Sequence, residues 1–180
     1  MACSERSESN GIRMVAELMA ISARTAPKSK GEDFVKILII EGDDVVKLAD
    51  SMVEYGEKNQ KRNFDRDGKN VKNSSAVLLI GLKDATTCGL NCGACGFNTC
   101  KEVQPKELTE FKGPQCAHRL LDMGIALGSA VKTAGLLNVD NRIMYRIGAV
   151  ARKVGLCDWD FVMGIPLSAT GKNIYFDRKT

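Results

Sequence analysis

The chain has 180 residues, 44% of them hydrophobic and 27% charged, with a formal net charge of +4. That suffices for one ordinary core without extra staples, and no apolar run approaches the roughly 20 residues of a membrane span. Lys and Arg are dispersed among Asp and Glu and aromatic residues make up 6%, which excludes the basic stripe and stacking platforms of a nucleic-acid binder.

From about Glu5 to Ala23, Ile12, Val15, Met19 and Ala23 recur at helical spacing, which predicts an amphipathic helix. Pro27 and Gly31 then break it into a loop whose cations, Arg24, Lys28 and Lys30, are either solvated or placed to meet a phosphate. Val35 to Ile40 is a β-branched run and reads as a buried strand. A helix follows, capped by Asp43 or Asp44, with Val46, Leu48, Ala49, Met52 and Val53 as its buried side and Gly56 near its end. Lys58 to Ser75 is polar, with Asp67-Gly68 as a turn signal, and is expected to be a mobile surface loop.

Ala76 to Leu82 is a second buried strand and leads straight into a cysteine-rich loop, so that a bound ligand is expected beyond a strand's carboxyl end, at the rim of the sheet. Lys101 to Phe111 is expected to form a short helix behind that loop. Gln115 to about Leu137 is a long helix, rich in Gly and Ala and apolar around much of its circumference, which predicts burial on most sides. Asn141 begins a further helix ended by Gly155. Asp160 to Pro166 is a third strand, and Ile174 to Phe176 is a fourth after a turn at residues 168–173.

The chemistry is concentrated in Cys88-Gly-Leu-Asn-Cys92-Gly-Ala-Cys95-Gly-Phe-Asn-Thr-Cys100, which holds four of the seven cysteines, with Cys116 following after fifteen intervening residues. Thiolates this close in sequence surround something small, and the interleaved glycines let the backbone curl and turn N–H groups toward bound sulfur. An iron–sulfur cluster is the natural guest. Zinc knuckles use two Cys-x2-Cys-type pairs from separate segments and only one pair here has that spacing. Residues 1–10 are polar and charged, unlike a secretory signal, so the expected location is the cytoplasm, where thiols stay reduced. Cys3 and Cys157 read as plain thiols. The ligand set is Cys92, Cys95 and Cys100 with either Cys116 or Cys88 as fourth. Cys116 is favoured, because Gly113-Pro114-Gln115 reads as a turn that delivers it to the first turn of a helix, where the dipole stabilises a thiolate.

The spacing of Cys92, Cys95, Cys100 and Cys116 resembles the iron–sulfur domain of corrinoid proteins of acetyl-CoA synthesis and of an electron-transport ferredoxin subunit. The order of elements, with an Ala-Pro loop, a buried Gly/Ala helix and a strand ending in Gly-x-Pro, resembles the nitroreductase-like flavoproteins. More closely, Arg24-Thr-Ala-Pro-Lys28, the Cys-Gly-x-Cys-Gly loop, residues 122–134, Asp140-Asn-Arg142 and residues 164–178 resemble the ferredoxin-domain proteins of bacteria and archaea. The resemblance implies an α+β fold, a nitroreductase-like three-layer α/β/α sandwich, as one domain over residues 1–180 with the cluster-binding segment, residues 88–116, inside it. It also implies a homodimer, which the Gly/Ala helix suits.

Nitroreductase-like enzymes bind FMN through arginines in the first helix, an Asn in the Ala-Pro loop and basic residues near the C-terminus. Here Arg6 and Arg13 lack that spacing and Gly31 stands at the Asn position. The resemblance therefore leaves Lys172 and Arg178, with Arg24 or Lys28, as candidate phosphate anchors. His118, the only histidine, is either a satisfied helix side chain or a donor to cluster sulfur. Ser129 and Ser168 lack a base for a nucleophilic triad, and Gly171-Lys172 lacks the spacing of a phosphate loop. Two functions follow from the resemblance and the cysteines. One is an oxidoreductase coupling a 4Fe-4S cluster to FMN. The other is a flavin-free electron carrier or redox sensor. Either would serve a redox partner protein or a small-molecule electron acceptor.

Overall fold

A computed structural model describes the backbone of residues 2–176 and the side chains of residues 7–176. Cys3, Arg6 and Arg178 are thus outside the described side chains. Strand β2 (Ala76–Leu82) is buried at every position and forms the spine of the molecule. It pairs antiparallel on one side with β1 (Val35–Glu41) and on the other with β6 (Phe161–Ser168), which in turn pairs with the short β5 (Asp140–Asn141).

Alternation along β2 divides the core. Ala76, Leu78, Ile80 and Leu82 face one layer, made by α1 (Ala2–Thr25) and α4 (Ala117–Leu136), where they meet Met19, Met123 and Ala130. Val77 and Leu79 face the other, made by α2 (Asp43–Lys58), α3 (Phe64–Lys72) and α5 (Tyr145–Lys153), where they meet Leu48, Met52, Phe64 and Ile147. A sheet covered on both faces needs strands without a polar side, which is why β2 reads as a continuous apolar run. The α5–β6 contact is backbone-close: a Cβ at Gly148 would lie 1.9 Å from the Val162 carbonyl oxygen, so only glycine fits. The result is the three-layer α/β/α arrangement expected of an α+β fold.

Several local expectations are corrected. The polar stretch after Lys58 is not a loop throughout, because α3 lies in it and buries Phe64, Asp67, Gly68 and Val71. These stand at i, i+3, i+4 and i+7, a helical face carried partly by an aspartate and a glycine. Asp67, 1% exposed, is neutralised by Arg66 and Arg146, each at 2.8 Å. Helix α2 is capped by Gly42 rather than Asp43 or Asp44, and it buries Val45 while Val46 stays exposed. Residues 101–111 form no helix beyond a single turn at Cys100–Glu102. They continue into a hairpin of β3 (Lys106–Glu107) and β4 (Lys112–Gly113).

Asn141 lies in β5, and α5 starts only at Tyr145. The fourth strand is therefore β5, while Ile174 to Phe176 is a turn that packs Tyr175 into the core. Helix α4 is buried on one face only. Leu121 and Ile125 are exposed, and nothing stands within 4 Å of where a Cβ would sit at Gly124 or Gly128. Among the described residues no helix is long and apolar enough to cross a membrane.

Candidate metal centre

The cysteine loop leaves the carboxyl end of β2, as expected, although the sheet is antiparallel, so the crevice rule for parallel sheets does not explain the position. What places the loop is the N-terminus of α4, which lies against it. Its entry is pinned where the Asp84 N–H donates to Asp160 Oδ2 at 2.8 Å and Thr86 O accepts from Arg119 Nε at 2.9 Å. Gly89, Gly93 and Gly96 take φ of +71°, +74° and +86°, a region that side chains with a Cβ avoid. Asn91 and Cys100 bond reciprocally: the Asn91 N–H donates to Cys100 Sγ at 3.3 Å, and the Cys100 N–H donates to Asn91 Oδ1 at 2.8 Å. A capping box between Thr99 and Glu102 closes the turn behind Cys100.

Cys88, Cys92, Cys95, Cys100 and Cys116 line one hollow together with Leu90, Phe97 and His118. All five thiols are free. Cys88 and Cys116 are buried at 5% and 7% exposure, Cys95 and Cys100 are half-buried, and Cys92 is open to solvent. His118 Nε2 stands 3.8 Å from Cys92 Sγ. Among the described residues no three His, Cys, Asp or Glu side chains converge on one point where a single metal ion would sit. The donor set is soft sulfur with N–H groups turned to Cys100 and Cys116, a chemistry that fits an iron–sulfur guest.

Cys116 is the residue before the first turn of α4. Burial pushes its thiol up, but the backbone N–H groups of Cys88, Arg119 and His118 more than offset this, and the net shift is below the ordinary thiol value. Cys88 differs. Burial pushes its thiol up, the Arg119 guanidinium pulls it back, and the net shift is upward. The two candidates for fourth ligand thus differ in the direction of their shift, downward at Cys116 and upward at Cys88.

Arg119 is the functional-looking residue that sequence reasoning missed. Its side chain is fully buried. It donates through Nε to Thr86 O and through an Nη to Ser29 O, both at 2.9 Å, and pairs with Asp122 at 3.3 Å and with Glu32. The guanidinium also lies 4.7 Å from the centroid of the Phe34 ring. Asp122 Oδ1 accepts in addition from the Ser29 N–H and Oγ, at 2.8 and 2.7 Å. The available signal was an Arg and an Asp three apart in a Gly/Ala-rich helix.

The candidate phosphate anchors are differently occupied. Lys28 Nζ donates to the carbonyl oxygens of Ala23, Arg24 and Ala26 at 3.4, 2.8 and 2.8 Å, with its side chain 6% exposed. It closes the end of α1. Arg24 bonds Asp33 at 2.6 Å and Val35 O at 2.9 Å, and Lys30 stands 3.6 Å from Glu32. Lys172 is in the exposed turn after β6, where Thr170 Oγ1 donates to its carbonyl at 2.6 Å. Arg178 lies outside the described residues.

Fold and site together define a thiol-lined redox-type centre on an α/β/α sandwich of nitroreductase-like architecture. Solved structures agree on the fold. The nitroreductase CinD of Lactococcus lactis in complex with chloramphenicol superposes with a TM-score of 0.59 at 17% identity, covering 92% of this chain and 84% of that one. The FMN-dependent nitroreductase NfnB of Mycobacterium smegmatis in complex with NADPH gives 0.58 at 11% identity, covering 88% and 78%. A nitroreductase with bound FMN from Desulfitobacterium hafniense gives 0.57 at 9%, also covering 88% and 78%. In sequence, residues 112–178 match the family model described as "Uncharacterized protein containing a ferredoxin domain". An uncharacterized protein of Archaeoglobus fulgidus is 51% identical over 173 residues, 95% of this chain and 94% of the relative. The chain belongs to this family of ferredoxin-domain proteins.

Proposed function

We propose that the protein is a cytoplasmic iron–sulfur redox protein that holds a 4Fe-4S cluster through Cys92, Cys95, Cys100 and Cys116. We further propose that it couples the cluster to FMN as an oxidoreductase. The observation that carries the cluster is the single hollow lined by five free thiols at the N-terminus of α4. Such a cluster supplies one-electron transfer. Cys116 closes the floor of the hollow, with N–H groups turned to its sulfur. Asn91 fixes Cys100 from the other side through its N–H. Cys92 and Leu90 are exposed beside the hollow and mark the edge that a redox partner or small electron acceptor would approach. Cys88 is in this reading a neighbour of Cys116 that binds no iron.

FMN is supported by the fold, since solved neighbours carry it. Its anchors in this reading are Lys172 and Arg178, with Arg24. One observation favours the flavin-free carrier or sensor instead: the Lys28 ammonium is already satisfied by three carbonyls and Arg24 is already paired with Asp33. The visible spectrum of anaerobically purified protein decides. A cluster gives broad brown absorbance, and bound FMN adds resolved bands and a releasable yellow chromophore. Protein without broad absorbance after anaerobic reconstitution overturns the cluster. Brown protein that leaves added FMN unbound selects the carrier or sensor.

The same reading includes a two-fold dimer. Leu121 and Ile125 on α4 and Met14, Leu18 and Ile21 on α1 are exposed apolar side chains on two helices that pack together, and a second copy would cover them. Light scattering at micromolar concentration is expected to give twice the chain mass of 19.6 kDa, and a monomer mass rejects the dimer.

A further inference from the structure

We propose that Arg119 sets the reduction potential of the cluster, as a buried fixed cation in the helix turn that follows Cys116, and that Glu32 trims its effect. This rests on the iron–sulfur reading above and adds a residue that binds neither iron nor flavin. Arg119 is a positioning residue in the sense that it acts on the cluster through charge and through the loop it holds.

A fully buried guanidinium is costly to keep. Apolar residues of similar volume often replace buried ion pairs with no loss of stability, so the fold alone does not demand this charge. Its placement is specific. Arg119 lies three residues after Cys116 in the first turn of α4, and its Nε holds Thr86 O, two residues before Cys88. It therefore ties the start of the cysteine loop to the helix turn that follows Cys116. A guanidinium does not lose its proton in a protein, so this charge is the same in both redox states.

The counter-charges differ in quality. Asp122 is buried, but its carboxylate is shared between Arg119 and the Ser29 N–H and hydroxyl. Glu32 pairs directly with Arg119, yet its side chain is 41% exposed and solvent screens it. Of the three charged groups, only the Arg119 guanidinium is both fully buried and bonded to the segment that leads into the cysteine loop. Reduction adds one electron, and so one negative charge, to the cluster, with no proton needed from Arg119. A nearby fixed cation favours the reduced form.

The test uses the full chain, reconstituted without oxygen, with iron and acid-labile sulfide measured on every sample before a dye-mediated potentiometric titration with dithionite as reductant. Arg119→Gln is expected to lower the ratio of reduced to oxidised cluster at a fixed potential on the order of tenfold, about 59 mV for one electron. Arg119→Lys, which keeps the charge, is expected to stay nearer the wild type than Arg119→Gln does. Glu32→Gln is expected to shift the ratio the opposite way, by a smaller factor of roughly threefold, because that carboxylate is screened. A loaded Arg119→Gln variant with the wild-type potential, or an equal drop for Lys and Gln, overturns the proposal. If Arg119→Gln does not fold, Glu32→Gln decides, and an unchanged or lowered ratio there overturns it as well. Wild-type protein lacking sulfide overturns the iron–sulfur reading itself, and is recognised before any potential is measured.

Discussion

Two loops flank the N-terminus of α4, and both carry side chains suited to a cofactor, yet they use them in opposite ways. In the loop of residues 24–33 the cations are engaged locally: Lys28 is buried and closes α1, while the exposed Arg24 and Lys30 stand beside Asp33 and Glu32. In the loop of residues 88–100 the reactive groups face a shared hollow, and it is the backbone that is spent on holding shape, through the Asn91–Cys100 pair and the capping box at Thr99. Side chains consumed by their own fold are structure, and side chains held open by the fold are a site. The two loops are joined through Arg119, which donates to Ser29 O in one and to Thr86 O just ahead of the other.

The largest effect expected from breaking this contrast is at Cys116. Cys116→Ser keeps a good residue for the start of α4 but removes a thiolate, so iron after anaerobic reconstitution is expected to fall from about four per chain to near zero. Cys88→Ser is expected to retain iron. The reverse pattern would make Cys88 the fourth ligand. Next in size is the junction: Arg119→Met leaves Asp122 and Glu32 without their cation, and chemical denaturation is expected to show a loss of about 3 to 5 kcal/mol.

The C-terminal turn that carries Lys172 is a third region, and it is fixed rather than held open. Tyr175 is 2% exposed, bonds Ser74 Oγ at 2.8 Å, and has its hydroxyl pushed up to about 12 by burial. The folded value is above the unfolded one, so this contribution is fully present below pH ~10 and is lost as pH rises toward ~12. Across that window the wild type is expected to lose about 2 to 3 kcal/mol that Tyr175→Phe does not. Equal slopes would mean that Tyr175 is not held as a buried phenol. The smallest effect is at Lys28. Lys28→Ala is expected to cost about 1 kcal/mol through the orphaned carbonyls of α1 and to leave any FMN affinity unchanged. A weakened FMN titration would show that this loop is a site after all.

The same contrast explains what was legible in the sequence. Strand β2 was legible because both its faces are buried and every residue says so. The thiols were legible because their spacing is a local property. Helix α3 was hidden because half of its buried face is Asp67 and Gly68, which read as surface and turn. Only the tertiary partner Arg146, together with the adjacent Arg66, makes Asp67 a core residue. Arg119 was hidden for the same reason, since its partners Ser29, Glu32 and Thr86 are distant in sequence. Lys28 was misleading in the opposite direction: composition shows a cation, and only the folded end of α1 shows that it is engaged. The open face of α4 could not be told from its buried one, because large apolar residues occupy both: Met123 and Leu127 are buried, while Leu121 and Ile125 are exposed.

The central claim is that the hollow holds a cluster and not an ion, and metal analysis of the anaerobically reconstituted full chain tests it most directly. Iron and acid-labile sulfide are each expected to approach about four per chain, whereas stoichiometric zinc with no sulfide would contradict the account.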